Sequence, residues 1–191
     1  MSRLFRAMIL LAVLAGCGPR DFAAPRELDD ACSIVRQHPD YLRAFKATER
    51  KWGVPVPVQM AIIYQESKFI GNARTPFQWK LGVIPVGRQS SAYGYSQALD
   101  GTWQRYKMQT GNWGARRSNF DDAIDFVGWH HKLSHDVNGV ALDDTYNLYL
   151  NYYLGHAGFR QGRQNNDSSI RNYARKADKM ANDYRRQMAA C

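Results

Sequence analysis

Residues 57–67 read Pro-Val-Gln-Met-Ala-Ile-Ile-Tyr-Gln-Glu-Ser, and this stretch decides the fold. Pro57 suits the first turn of a helix, and the apolar side chains after it occupy most of the helix circumference. A helix that is apolar on all sides belongs in the centre of a domain. The sequence therefore predicts a helical domain built around residues 57–67.

A single carboxylate, Glu66, lies at the end of this apolar stretch. In a helix, Ile62 and Ile63 share its face and exclude water from it. Exclusion of water disfavours the charged form and can raise a carboxyl pKa toward about 6, so that the group donates a proton near neutral pH. Glu66 is therefore a candidate general acid. The alternative is a helix-terminal glutamate that reaches solvent past Ser67.

The N-terminus has the pattern of a secretory signal peptide, with two arginines before a short apolar stretch at residues 7–15. That stretch is shorter than the roughly 20 residues that span a bilayer. Leu14-Ala15-Gly16-Cys17 resembles the lipobox of bacterial lipoproteins, which predicts loss of residues 1–16 and lipidation of Cys17. Gly18 stands where aspartate would resemble the inner-membrane retention signal, so we predict an outer-membrane lipoprotein that faces the periplasm. The alternative is a chance cysteine after an ordinary signal peptide.

The other two cysteines, Cys32 and Cys191, lie near opposite ends of the remaining chain. An oxidising periplasm permits them to bond, and the termini of compact domains often lie close together. The sequence predicts a disulfide between them. The alternative is a pair of free, buried thiols.

The formal net charge is +9, and it is +7 without the two arginines of the signal peptide. A basic exported lipoprotein favours cell-wall polymer or lipid headgroups as partners over nucleic acid. Residues 17–31 are polar and contain two prolines, which predicts a lipidated tether. Residues 32–191 are long enough for one domain with a hydrophobic core.

Proline, glycine and capping residues predict about six helices in this domain. The first three are expected to begin at Pro39, Pro57 and Thr102, and the third to end at Gly111. Phe120 lies on the fourth, Asp143 or Asp144 caps the fifth, which ends before Gly155, and Ser168 caps the last. Residues 71–95 combine glycine and proline with β-branched and aromatic residues, which indicates loops and a small β-hairpin. The predicted fold class is mainly α with a small β element.

Three segments in order carry a resemblance: Glu66-Ser67, Ala92-Tyr93-Gly94-Tyr95-Ser96-Gln97 and Asn151-Tyr152-Tyr153-Leu154-Gly155. Together they resemble the lysozyme-like lytic transglycosylases of the soluble-lytic-transglycosylase superfamily. Members of that superfamily carry a Glu-Ser pair at a helix end, a Gly-Leu-Met-Gln-like segment and an Ala-Tyr-Asn-Ala-Gly-like segment. The resemblance covers about residues 55–160. It implies an α+β lysozyme-like fold in which the hairpin and loops line a substrate cleft.

The resemblance also implies a reaction: cleavage of the β-1,4 bond between N-acetylmuramic acid (MurNAc) and N-acetylglucosamine (GlcNAc) in peptidoglycan, with formation of a 1,6-anhydroMurNAc end. Glu66 would act first as the acid and then as the base. Tyr152 would hydrogen-bond Glu66, while Gln97 and the backbone of residues 94–96 would bind acetamido and hydroxyl groups. The substrate-binding residues expected from the resemblance are Ser91 (or Ser90), Tyr95, Ser96, Gln97 and Tyr152, with Tyr93, Tyr95 and Trp79 as flat surfaces for sugar rings.

The number of carboxylates near the scissile bond distinguishes intramolecular ring closure from hydrolysis. Hydrolytic glycosidases usually place two carboxylates about the scissile bond. No other acidic residue lies between Glu66 and Gln97, so a second one would come from Asp121, Asp122 or Asp125. This favours the intramolecular reaction. A hydrolytic muramidase and a non-catalytic peptidoglycan-binding lipoprotein are the alternatives.

Two other kinds of site fit the sequence less well. The segment Gly94–Ala98 is close to a nucleophile elbow, but no clear strand precedes it. The four histidines between residues 130 and 156 have no acidic partner at a known zinc-site spacing. The sequence predicts neither a metal nor an organic cofactor.

Overall fold

The computed structural model describes residues 22–191, so the predicted signal peptide and Cys17 lie outside the described residues. Within this range the mainly helical fold with one small antiparallel sheet confirms the predicted class. The helices are α1 (Ala31–Gln37), α2 (Pro39–Trp52), α3 (Val56–Ser67), α4 (Asp100–Thr110), α5 (Phe120–Asn138), α6 (Thr145–Arg160) and α7 (Ser168–Met188). The strands are β1 (Phe77–Lys80) and β2 (Ile84–Arg88), and a 3₁₀ turn spans Arg163–Asn166.

Helix α3 occupies the centre of the domain, as its composition predicts. It packs against α7, α2 and α5, and the side chains of residues 60–63 are fully buried. The buried polar residue Gln59 is accommodated because its Nε2 donates to the carbonyls of Phe45 and Val54, at 3.1 and 2.7 Å. The core therefore surrounds the helix that ends in Glu66.

Capping residues set most of the helix boundaries. The side chains of Asp30, Asn119 and Asp144 accept hydrogen bonds from backbone N–H groups in the first turns of α1, α5 and α6. Helix α7 is capped by Asp167 and not by Ser168, because the Asp167 carboxylate accepts from two backbone N–H groups of the first turn. Helix α1 is short and was not among the six predicted helices.

Helix α6 continues past Gly155, where the sequence predicts its end. Gly155 has φ 70° and ψ 158°, which is not helical, yet helical turns resume and extend to Arg160. Glycine permits this backbone conformation because it has no Cβ. The kink places residues on either side of Gly155 along one groove, which is described below.

The hairpin projects from the helical domain. Strands β1 and β2 pair from Phe77 opposite Arg88 to Lys80 opposite Ile84, with a bulge between Gln78 and Trp79. All four residues of β1 are exposed, and Trp79 is 58% exposed. The hairpin is therefore held mainly by the loops at its base.

The two ends of the described chain lie close together. Cys32 and Cys191 form a disulfide with a Cα–Cα distance of 6.0 Å, as predicted. From residue 22 the segment predicted as a tether lies against the domain, since the carbonyl of Phe22 accepts from the Gly71 N–H at 3.2 Å. Among the described residues, no helix combines the length and apolar character needed to cross a bilayer.

Candidate active site

Glu66 lies in the last turn of α3, where the chain reverses sharply. Lys68 and Phe69 both adopt left-handed backbone conformations, with φ 53° and 62°, and Phe69 is fully buried. The Glu66 Oε1 atom is buried and has no hydrogen-bond partner among the described residues. A carboxyl oxygen in this position is poorly solvated, which is the condition that the sequence predicts for a general acid.

Burial raises the pKa of Glu66 from 4.5 to about 8. Two neighbours oppose this shift by stabilising the charged form: the Tyr149 side chain through a hydrogen bond and the Lys68 ammonium through its charge. Desolvation is the larger effect, so the carboxyl group is mostly protonated at pH 7. The direction agrees with the sequence prediction, and the shift is larger than predicted.

The hydroxyl that hydrogen-bonds Glu66 belongs to Tyr149, whereas the resemblance assigns this contact to Tyr152. Tyr149 precedes Tyr152 by one helical turn on α6, so both side chains face the end of α3. The Tyr152 hydroxyl instead donates to the backbone carbonyl of Ser96 at 2.5 Å. Tyr152 therefore joins α6 to the segment of residues 94–97, and Tyr149 is the tyrosine that stabilises the Glu66 carboxylate.

Glu66 opens into a cleft of about 490 Å³ between helix α3, helix α6 and the loops at the base of the hairpin. The cleft is lined by Glu66, Thr75, Gln89, Ser90, Ala92, Gln97, Leu99, Tyr152 and Tyr153. Of the expected site residues, the structure brings Glu66, Gln97 and Tyr152 together here. Ser90 is at the cleft, whereas the Ser91 hydroxyl caps α4 by accepting from the Asp100 N–H at 3.1 Å.

The segment Gly94–Gln97 brings Gln97 to the cleft through a tight backbone turn. A Cβ at Gly94 would lie 2.1 Å from the carbonyl oxygen of Arg117, so no other residue fits there. Gln97 has φ 48°, and its Nε2 donates to the carbonyls of Ala73 and Gly94 at 3.0 and 2.7 Å. Both Nε2 hydrogens are thus engaged, and the Gln97 amide oxygen is left to accept from a ligand.

Two residues expected to bind substrate are in the core instead. Tyr95 is 4% exposed and its hydroxyl lies 3.1 Å from the hydroxyl of Tyr41, while Ser96 is fully buried. Gln97 is partly exposed and lines the cleft, whereas Tyr95 and Ser96 precede it in the core. Neither residue lines the cleft, and the Ser96 carbonyl accepts from the Tyr152 hydroxyl.

The three aspartates that could supply a second carboxylate have other partners or positions. Asp125 accepts from Lys51, Trp52 and Tyr106, and Asp122 accepts from the Arg116 N–H. Asp121 is exposed at the start of α5. Glu66 is the one carboxylate that lines the cleft in the part of the chain that the structure describes.

A comparison with protein families shows to which family the chain belongs. The family model described as "Transglycosylase SLT domain" matches residues 5–191. The chain belongs to the transglycosylase SLT domain family. No curated protein matches the chain. Membership in the SLT family implies an enzyme that acts on peptidoglycan.

The SLT family chain also has a buried group of histidines behind the cleft. His130 and His131 are buried on α5, and their rings lie 4.8 and 5.6 Å from the Tyr152 ring. Burial lowers the pKa of His131 to about 3, so this imidazole is neutral at pH 7. In residues 22–191 no three His, Cys, Asp or Glu side chains are grouped as they would be around a metal ion.

Two features of the site are not among the residues expected from the sequence. Tyr149 shares a face of α6 with Tyr152, and its spacing of three residues is a signal that was available in the sequence. Thr75 and Gln89 flank the hairpin, and only the pairing of β1 with β2 brings them together beside Glu66.

Proposed function

We propose that this protein is a lytic transglycosylase that cleaves the MurNAc-β-1,4-GlcNAc bond of peptidoglycan without water and leaves a 1,6-anhydroMurNAc end. The observation that carries the proposal is the poorly solvated Glu66, which is the single carboxylate of its cleft among the described residues and has a pKa of about 8. One group with this pKa can serve both as acid and as base near neutral pH.

In the first step the protonated Glu66 donates its proton to the glycosidic oxygen. The bond between that oxygen and C1 of the MurNAc residue breaks, and the GlcNAc residue leaves with a hydroxyl group. Positive charge then develops at C1, close to the new Glu66 carboxylate. The Tyr149 hydrogen bond and the Lys68 charge stabilise that carboxylate at the moment it forms.

In the second step the Glu66 carboxylate takes the proton from the C6 hydroxyl of the same MurNAc residue. The C6 oxygen attacks C1, and the new bond closes the 1,6-anhydro ring. Burial makes the carboxylate a stronger base than an exposed glutamate, because the charged form is destabilised. Glu66 ends the cycle protonated, and no water is consumed.

The walls of the cleft supply groups suited to an amino sugar. We propose that the Gln97 amide oxygen accepts from an acetamido N–H, and that Tyr152 and Tyr153 contact the sugar rings. Tyr153 is 61% exposed, so its ring is accessible to a ligand. Trp79 on the projecting hairpin could extend the same surface beyond the cleft.

We also propose that the enzyme is a lipoprotein of the outer membrane that faces the periplasm. The support is the lipobox-like segment Leu14–Cys17, which lies outside the described residues. Metabolic labelling with a radioactive fatty acid tests the proposal. Labelled wild type and unlabelled Cys17→Ala support it, and an unlabelled wild type contradicts it.

Mass spectrometry of digested peptidoglycan tests the reaction. We expect fragments that end in anhydroMurNAc and are lighter by one water than the products of a muramidase. Reducing-end products would instead identify a hydrolytic muramidase. Undigested sacculi that retain the protein would identify a binding protein.

The rate of fragment release is expected to fall above about pH 8. The reaction needs protonated Glu66, and the protonated fraction falls about tenfold for each pH unit above the pKa. In Tyr149→Phe the loss of the hydrogen bond raises the pKa of Glu66 further, so the fall is expected at higher pH. Initial rates between pH 5 and 10 measure both effects.

Tyr173→Phe is the matched control for this pH profile. Tyr173 is 44% exposed on α7 and does not line the cleft. Its profile is expected to overlay that of the wild type. A wild-type rate that stays constant to pH 10 would contradict the role of Glu66 as the acid.

A further inference from the structure

The cleft at Glu66 continues as a groove along α6. It shares Gln97, Leu99, Tyr152 and Tyr153 with an adjoining cavity of about 220 Å³. That cavity in turn shares Thr102, His130, Leu154 and Gly155 with a third cavity of about 470 Å³. The kink at Gly155 therefore lies along a continuous groove that begins at the candidate acid and passes beyond it.

The far end of this groove is strongly basic. Its lining includes Arg105 from α4, Arg160 from the end of α6 and Arg163 from the 3₁₀ turn, and no acidic residue. None of the three arginines forms an ion pair with any described residue. We call these three residues the arginine cluster.

The known contacts of the arginine cluster are with neutral groups. An Arg160 N–H donates to the Asn138 side chain at 3.3 Å, and an Arg163 N–H donates to the Gln161 side chain at 3.0 Å. Each guanidinium has five N–H donors, so several remain for a ligand. Three neighbouring positive charges without an acidic partner form a site for an anion.

The histidines beside the cluster add a second observation. His130 is 4% exposed and lines the groove, and its Nδ1 atom has no hydrogen-bond partner among the described residues. The His156 ring stacks on it at 4.5 Å. Burial and the nearby arginines lower the pKa of both rings, so the arginines supply the positive charge of this end.

We propose that the arginine cluster binds carboxylate groups of the peptide stem that projects from the glycan strand held in the groove. The inference rests on the proposed function and adds recognition of the stem to it. Three adjoining cavities that share lining residues join Glu66 to the arginine cluster. A substituent on a neighbouring sugar can therefore approach the cluster while the scissile bond lies at Glu66.

The carboxylate has two possible sources on this substrate. One is the peptide stem, and the other is the lactyl group of MurNAc, which becomes a free carboxylate once an amidase has removed the stem. Planar carboxylates suit paired guanidinium N–H donors in either case. We commit to the stem because it carries several carboxylates and reaches farther from the sugar ring.

The test compares three preparations of purified sacculi: untreated, with carboxyl groups converted to amides, and with stems removed by an amidase. The wild-type rate of anhydromuropeptide release is expected to be about tenfold higher on untreated than on amidated sacculi. In Arg105→Gln/Arg160→Gln this ratio is expected to fall to near 1. A wild-type preference for untreated over stem-free sacculi assigns the carboxylate to the stem.

Arg185→Gln is the matched control because it removes an exposed positive charge on α7 outside the groove. It is expected to keep the wild-type ratio. A wild type with equal rates on untreated and amidated sacculi overturns the inference, as does a double variant that keeps the preference. If the wild type releases fragments from untreated and stem-free sacculi at equal rates and still prefers both to amidated sacculi, the assignment to the stem is overturned. Absence of anhydromuropeptides with every preparation would instead overturn the proposed function.

Discussion

Glu66→Gln is expected to lower the rate of fragment release by about 10³-fold or more. The amide neither protonates the glycosidic oxygen nor takes the proton from the C6 hydroxyl, so both proposed steps lose their catalyst. General acid–base catalysis typically contributes about 10² to 10⁴ in rate, and here one residue performs both roles. Initial rates of muropeptide release from purified sacculi, separated by chromatography and identified by mass, measure the loss.

The same variant is expected to be more stable than the wild type at alkaline pH. The pKa of Glu66 is about 8 in the folded protein and near 4.5 in the unfolded chain. The wild type therefore has its full stability from this group below about pH 4.5 and loses it as the pH rises through about 8. A neutral amide avoids that loss. We expect a gain of about 5 kcal/mol in the free energy of unfolding at pH 9, which is the cost of ionising the buried carboxyl group.

This gain separates the loss of chemistry from the loss of structure. An inactive variant with a raised free energy of unfolding is folded and lacks only the acid. Asp143→Asn is the control, because Asp143 is an exposed carboxylate in the loop before α6. It should change neither rate nor stability appreciably. Substantial activity in Glu66→Gln would refute the assignment of the acid.

The fold could be predicted largely because helix signals are local. Pro39, Pro57 and Gly111 stand at helix ends in the sequence and in the structure. The apolar composition of α3 also anticipates its burial at the centre. Helix α1 has seven residues, which is too short for a clear periodic pattern. The predicted end of α6 before Gly155 was wrong, because a glycine that ends one helical segment does not prevent another segment from following it.

The site was less predictable because its geometry depends on the meeting of distant segments. Glu66 and Gln97 are identifiable from short motifs, but which tyrosine of α6 contacts Glu66 depends on the rotation of α6 against α3. The burial of Ser96 and Tyr95 depends on the turn that Gly94 permits against Arg117. Single-sequence patterns do not specify such contacts between elements.

The second large effect is expected from removal of the disulfide. Cys32→Ala/Cys191→Ala is expected to lower the free energy of unfolding by about 4 kcal/mol. The two cysteines are 159 residues apart, so the bond constrains nearly the whole unfolded domain. In the chain-entropy model this restriction destabilises the unfolded state, and its removal favours unfolding. Urea denaturation of the variant, and of the wild type with and without reductant, measures the change.

The folded structure should survive the loss of the disulfide because other contacts join the same two regions of the chain. Gln187 on α7 accepts from the Ala31 N–H at 2.8 Å and donates to the Asp29 carbonyl at 2.9 Å, and the Tyr184 hydroxyl donates to the Leu28 carbonyl. The active-site cleft contains neither cysteine. Activity at 25 °C should therefore remain near that of the wild type, while the urea midpoint falls. An unchanged urea midpoint in the variant would show that the closed loop contributes little to stability. A loss of activity at 25 °C that accompanies the fall in the midpoint would show that the disulfide supports the cleft itself.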